Sequence, residues 1–167
     1  MPHSALPKRC VIADDVRRSR ETIGKWLREC GFECRLAQNG RLAWEMIKEQ
    51  PPELLVTDLE MPELCGLELL EKIRQADDES IRKLPVLVMT SLHDGQTLKI
   101  IQKLGGDGLL QKPLDKQATF SVIRDIVSAR YSLQQTMHPG DEKCIKDRGV
   151  ISPTLRRLLN KVAENEQ

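Results

Sequence analysis

Aromatic residues make up only 3% of this 167-residue sequence: two Trp, one Tyr and two Phe. A surface that stacks exposed bases needs more rings than that. A dominant charge is missing too, since 26 basic and 25 acidic residues leave a net +1. That balance offers no basic field to a nucleic-acid backbone, and no nucleic-acid partner is expected. No apolar run approaches the roughly 20 residues that span a bilayer, so no membrane partner is expected either. The opening MPHSALPKRC lacks the apolar stretch of a signal peptide. The five cysteines, Cys10, Cys30, Cys34, Cys65 and Cys144, are odd in number and irregular in spacing, and Cys30 and Cys34 do not form a CxxC pair. They are expected to be free thiols in a reducing cytoplasm, serving as small buried apolar residues.

What is present is a repeated alternation of short apolar runs and helical periods. RCVIADD (Arg9–Asp15) is an apolar run ending in acids. RSRETIGKWLREC (Arg18–Cys30) places Ile23, Trp26, Leu27 and Cys30 at helical spacing, and Gly31 closes it. FECRLA (Phe32–Ala37) alternates like a strand near a sheet edge, and RLAWEMIKEQ (Arg41–Gln50) is a second helix stopped by Pro51-Pro52. ELLVTD, GLELLEKIRQA (Gly66–Ala76), LPVLVMTS (Leu84–Ser91), QTLKIIQKLG (Gln96–Gly105), DGLLQKP (Asp107–Pro113) and DKQATFSVIRDIVSAR (Asp115–Arg130) continue the series. Strands that are apolar throughout are buried on both faces, which implies a parallel sheet with helices on each side. Right-handed crossovers make it a doubly wound α/β fold.

In such sheets ligands gather beyond the carboxyl ends of the strands. With strand order 2-1-3-4-5, the first tip carries Asp14 and Asp15, the third Asp58, the fourth Thr90 and Ser91, and the fifth Lys112 and Pro113. Crowded carboxylates repel one another unless a cation sits among them. Hard oxygen donors with open positions suit Mg²⁺, which accepts substrate phosphate oxygens. A lysine and a hydroxyl across the crevice suit a phosphoryl group, and a carboxylate can act as its nucleophile.

IADD, VTDLEMPELCG, VMTS and LQKP, in that order and spacing, resemble the receiver domain of bacterial response regulators, with D-x-x-M-P-x-x-x-G (Asp58–Gly66) the most specific motif. The resemblance covers roughly Lys8 to Arg130. It implies a flavodoxin-like five-stranded sheet and phosphoryl transfer to Asp58 from a sensor histidine kinase or histidine phosphotransfer protein. It implies Asp58 as phosphoacceptor, Asp15 as a direct Mg²⁺ ligand, Asp14 acting largely through water, and the Glu60 backbone carbonyl as a further ligand. Lys112 would pair with the phosphoryl oxygens, across a cis bond to Pro113, and Thr90 would bond to them after transfer. Ser91 matches the small residue beside the threonine. Glu60, two residues after the phosphoacceptor, stands where the family tunes hydrolysis of the acyl phosphate. One departure stands out: the switch position three residues before the lysine, usually Tyr or Phe, is Leu109.

Residues 7–130 are therefore expected to form the receiver and residues 131–167 a linker plus a short amphipathic helix. In that tail, Ser152 and Pro153 open a segment with Leu155, Leu158, Leu159 and Val162 on one stripe. A helix-turn-helix output domain would need more chain. A stand-alone receiver is expected, not an enzyme acting on other substrates, which signals to a downstream protein. Partner binding or homodimerisation is expected on the fourth helix, fifth strand and fifth helix, or through the tail helix. Two alternatives stay open: a degenerate receiver used as a constitutive interaction module, and an aspartate-nucleophile phosphatase, although the latter's second Asp is here Glu60. Flavin binding fits poorly, because Asp14 and Asp15 would face an anionic ligand.

Overall fold

Apolar residues fill successive positions of the central runs, and the structure shows why. The computed structural model describes residues 8–92 and 95–127. Strands β1 (Lys8–Ala13), β2 (Phe32–Ala37), β3 (Leu54–Asp58), β4 (Val86–Thr90) and β5 (Gly108–Gln111) form one sheet of order β2-β1-β3-β4-β5. Every neighbouring pair is parallel. Helices α1 (Arg17–Glu29), α2 (Gly40–Glu49), α3 (Gly66–Arg74), α4 (Glu79–Arg82), α5 (Gly95–Lys103) and α6 (Lys116–Val127) connect them. The doubly wound α/β expectation is met. The single-turn α4 was not expected, because ESIR is too short to show a period; Asp78 caps it by accepting from Ser80 N at 2.8 Å.

Side chains alternate across each strand, so the buried runs split into two cores. Val11, Ala13, Leu55, Val86 and Val88 face one layer with Ala43 and Ile47 of α2, Leu69, Leu70 and Ile73 of α3, and Leu98 and Ile101 of α5. Cys10, Ile12, Leu54, Val56, Leu87 and Met89 face the other with Ile23 and Leu27 of α1 and Ile123 and Ile126 of α6. β3 and β4 are buried along their whole length. Each fully buried Leu, Ile or Val stabilises the fold by about 1.5–3 kcal/mol relative to exposure. β2 lies at the sheet edge as expected, and Glu33 is exposed there.

At the end of the sheet opposite the strand tips, Arg74 ties four segments together. Its guanidinium donates to the Gly105 carbonyl at 2.9 and 2.7 Å, to the Arg82 and Leu84 carbonyls at 2.9 and 2.7 Å, and to Asp107 Oδ2 at 2.8 Å. Asp107 Oδ2 also accepts from Val86 N at 2.8 Å, at the start of β4. Gly105 adopts φ +88°, and a Cβ there would press on the Arg74 side chain. Arg74→Ala is expected to lower unfolding free energy by about 2 kcal/mol in urea titrations, because several charge-assisted bonds disappear at once. A change under about 0.5 kcal/mol, the range of an ordinary surface substitution, would show that these bonds are replaced by water.

The amphipathic stripe at Leu155–Val162, and the division of the chain at residue 131, lie outside the described residues. Among those residues no helix is long and apolar enough to cross a membrane. The expectation that cysteines are buried apolar residues holds for Cys10 and Cys65. It fails for Cys30, which is exposed at the end of α1, and for half-buried Cys34. Cys30 follows the last residue of α1, where the chain turns through Gly31 into β2.

Candidate functional site

Strand register builds the site. β1 and β3 pair Ile12 with Val56 and Ala13 with Thr57. One further step sets Asp14 beside Asp58, on the side of the sheet covered by α1 and α6. β3 pairs Asp58 with Met89, and β4 pairs Thr90 with Gln111, which puts Thr90 and Lys112 just past the same edge. Carboxylate oxygens of Asp14, Asp15 and Asp58 all lie within 4.8 Å of one another. Lys112 Nζ reaches Asp58 Oδ2 at 3.1 Å and Asp14 Oδ2 at 3.2 Å. The Lys112–Pro113 bond is cis, as the motif resemblance implies.

Each group is held by its surroundings. Asp14 is fully buried; its Oδ1 accepts from Val16 N at 2.9 Å and its Oδ2 from Ser19 Oγ at 2.6 Å. Arg20 donates to the Asp14 carbonyl at 2.6 Å. α1 opens on Arg17 and Arg18 with no acid in its first turn, which the helix dipole disfavours. The acids that would suit this end lie just upstream, at positions 14 and 15. Asp58 Oδ1 accepts from Leu59 N at 2.8 Å. Its backbone is clamped below by α3: Gly66 N donates to the Leu59 carbonyl at 2.9 Å, and a Cβ on Gly66 would collide with the Asp58 carbonyl oxygen. That contact explains the glycine of the motif in physical terms.

Electrostatics favours a cation here. Burial is the largest influence on Asp58 and, with the neighbouring Asp14 charge, pushes its carboxyl up to about 6 against the pull of Lys112. Burial draws the Lys112 ammonium down, but Asp58 and Asp14 outweigh it and leave its pKa above the ordinary value. Lys112 is firmly charged, and one ammonium does not neutralise three carboxylates. The donor set is all oxygen, with Asp15 exposed to solvent and Asp14 and Asp58 buried. Hard oxygens on an open edge fit Mg²⁺.

Asp14, Asp15 and Asp58 are thus brought together, with Lys112 in contact with Asp14 and Asp58. Thr90 is buried at the tip of β4, and its Oγ1 accepts from Leu92 N at 3.0 Å. Ser91 is exposed and Glu60 half-buried. Leu109 is half-buried and packs against the core shared with α5. Sequence reasoning did not single out Ser19 and Arg20. Their signal was available: both lie in the first turn of the helix that follows the Asp pair. Next to the site, an open groove of about 460 Å³ runs between α1 and the segment that joins β5 to α6, lined by Val16, Ser19, Thr22, Trp26, Lys112 and Leu114 among others. Val16 is 52% exposed at its edge.

A family model described as the response regulator receiver domain matches residues 10–124. Response regulator MprA of Mycolicibacterium vanbaalenii is 31% identical over 122 residues, covering 73% of this chain and 51% of that protein. Response regulator Rre1 of Synechocystis sp. is 31% identical over 127 residues, covering 74% and 53%. The chain spans about half the length of these curated relatives. In fold it is similar to chemotaxis response regulator CheY4 of Vibrio cholerae, with TM-score 0.67 and 20% identity over 72% of this chain and 98% of that one.

Proposed function

We propose that this chain, which belongs to the response regulator receiver family, accepts a phosphoryl group on Asp58 and relays that change through protein contacts. The observation that carries the reading is Lys112 Nζ lying 3.1 Å from Asp58 and 3.2 Å from Asp14, beside a three-carboxylate cluster. The donor is a phosphohistidine on a sensor histidine kinase or a histidine phosphotransfer protein. The groove between α1 and the β5–α6 segment adjoins the nucleophile through Lys112, and suits such a partner's docking face. The receiver unit is residues 7–130, working in the cytoplasm.

In the reaction, an ionised Asp58 oxygen attacks phosphorus, the P–N bond to the donor imidazole breaks, and an aspartyl phosphate forms. Lys112 holds its ammonium against the transferring oxygens, where fixed positive charge in a partly dry site is most effective. Asp15 and Asp58 would bind Mg²⁺ directly, Asp14 through water and Glu60 through its carbonyl; the bound ion supplies charge neutralisation for the phosphoryl oxygens. Thr90 turns its hydroxyl from Leu92 N toward the new phosphoryl group. Leu109 offers no ring to rotate, so the change passes from the end of β4 to α5. The face of α5, β5 and α6 then meets the downstream partner or a second copy. Hydrolysis of the acyl phosphate by water, near Glu60, resets the domain.

The test is incubation of the full chain with Mg²⁺ and phosphoramidate or acetyl phosphate, followed by intact mass. One phosphoryl adduct is expected, absent from Asp58→Ala and absent with a chelator. No adduct at all would instead indicate a degenerate receiver used as an interaction module, and sustained turnover of a phosphoester an aspartate-nucleophile phosphatase.

A further inference from the structure

The cysteines are unused by this chemistry, and the sheet brings two of them together. β1 and β2 pair in parallel with Cys10 directly opposite Cys34. Neighbouring strands run about 4.8 Å apart, inside the Cα separation that a disulfide spans. In-register residues of a parallel pair point to the same face, here the core between the sheet, α1 and α6. Cys10 is buried in it and Cys34 packs against it from the sheet edge. The two thiols differ in access: Cys10 is 1% exposed, whereas Cys34 is half-buried with Sγ 3.8 Å from the Gly24 carbonyl.

We propose that Cys34 and Cys10 are a redox-active dithiol, oxidised by a hydroperoxide to an intramolecular disulfide that staples the β1–β2 edge. Cys34 sulfur attacks one peroxide oxygen, the O–O bond breaks, and the departing oxygen leaves as water or alcohol after taking up a proton. Cys34 is then a sulfenic acid. Cys10 sulfur gives up its proton, attacks Cys34 sulfur and displaces hydroxide, which leaves as water. Two thiols lose two electrons and one hydroperoxide gains them. The division of labour follows the surroundings. The neighbouring Cys10 thiol holds the Cys34 pKa below the ordinary thiol value against the effect of burial, with help from the Arg28 guanidinium. Burial, the larger influence on Cys10, keeps that thiol protonated, with its pKa well above the usual value. Cys34 therefore reacts first and Cys10 resolves.

The experiment uses the reduced full chain, treated with hydrogen peroxide, alkylated and then measured by intact mass and peptide mapping. Cleavage after Glu33 separates Cys34 from Cys30, so the linked pair is identified without ambiguity. The expected result is loss of two hydrogens and a Cys10–Cys34 cross-linked peptide, reversed by dithiothreitol. The oxidised chain should also show a higher urea midpoint that returns on reduction. Cys34→Ser should abolish the cross-link. Cys10→Ala should stop the reaction at a Cys34 sulfenic acid trapped by dimedone, with circular dichroism confirming that each variant is folded. A Cys30–Cys34 link, or five alkylated thiols after peroxide, would overturn the proposal. These readouts do not involve Asp58, so they stand apart from the phosphorylation reading.

Discussion

Lys112→Ala is expected to slow Asp58 labelling by phosphoramidate by about 100-fold or more, the usual effect of removing a preorganised charge from a transferring group. Two effects act in the same direction. The ammonium that lies 3.1 Å from Asp58 is gone, so nothing on that side offsets the negative phosphoryl oxygens. The Asp58 carboxyl also loses the pull that restrains its pKa, which rises further. A smaller fraction of the nucleophile is then ionised at neutral pH, and the pH–rate curve should move to higher pH. Labelling across a pH series separates the two effects: the curve's midpoint reports the carboxyl and its plateau reports the lost charge. Lys112→Arg should recover part of the midpoint and little of the plateau, because a planar guanidinium does not occupy the same point. An unchanged plateau in Lys112→Ala would remove Lys112 from the transfer step.

The second large effect concerns stability. An Asp in the unfolded chain titrates near 3.9, while in the fold burial and the Asp14 charge put Asp58 at about 6. Between those values the folded chain holds a proton that the unfolded chain has released. Stability therefore falls as pH rises from about 4 to about 6, and the loss remains in full above that. A shift of this size corresponds to about 2–3 kcal/mol. Asp58→Asn keeps the shape and removes the charge. With a chelator at pH 7.5 it should be more stable than the parent chain by about 2 kcal/mol, with the difference closing below pH 4. Adding Mg²⁺ should stabilise the parent and not the variant, by mass action on the folded state. A variant no more stable than the parent at pH 7.5 would mean that Lys112 already compensates the buried carboxylate.

The legible parts of this molecule were those written in short-range patterns. Apolar runs marked β3 and β4, because burial on both faces leaves polar residues only toward their carboxyl ends. The tip residues Asp14, Asp58, Thr90 and Lys112 were legible because each lies at or just past the end of a short apolar run, and the fold class then places run ends together. The α4 turn escaped, since four residues show no period. Arg74 escaped for another reason: its bonds go to backbone carbonyls as far as 31 positions away, and a carbonyl has no sequence identity. Ser19 looked like an ordinary helical polar residue until its hydroxyl was seen on Asp14. The Cys10–Cys34 pairing depends on strand register, which spacing alone does not reveal; Cys30, nearer in sequence, was the more obvious partner and is exposed at the end of α1.

Arg74 has a mechanical consequence. Its bonds bolt the Gly105 end of α5 to α3, to the α4 turn and to Asp107 just ahead of β5. They lie at the opposite end of the sheet from Thr90. With one end of α5 pinned, the freedom left to that helix is a swing about Gly105, not a slide along its axis. In such a swing its Thr90-facing end would travel farthest and its Gly105 end hardly at all. On the proposed reading, a small event at the carboxylates would then be read at the long arm of a lever.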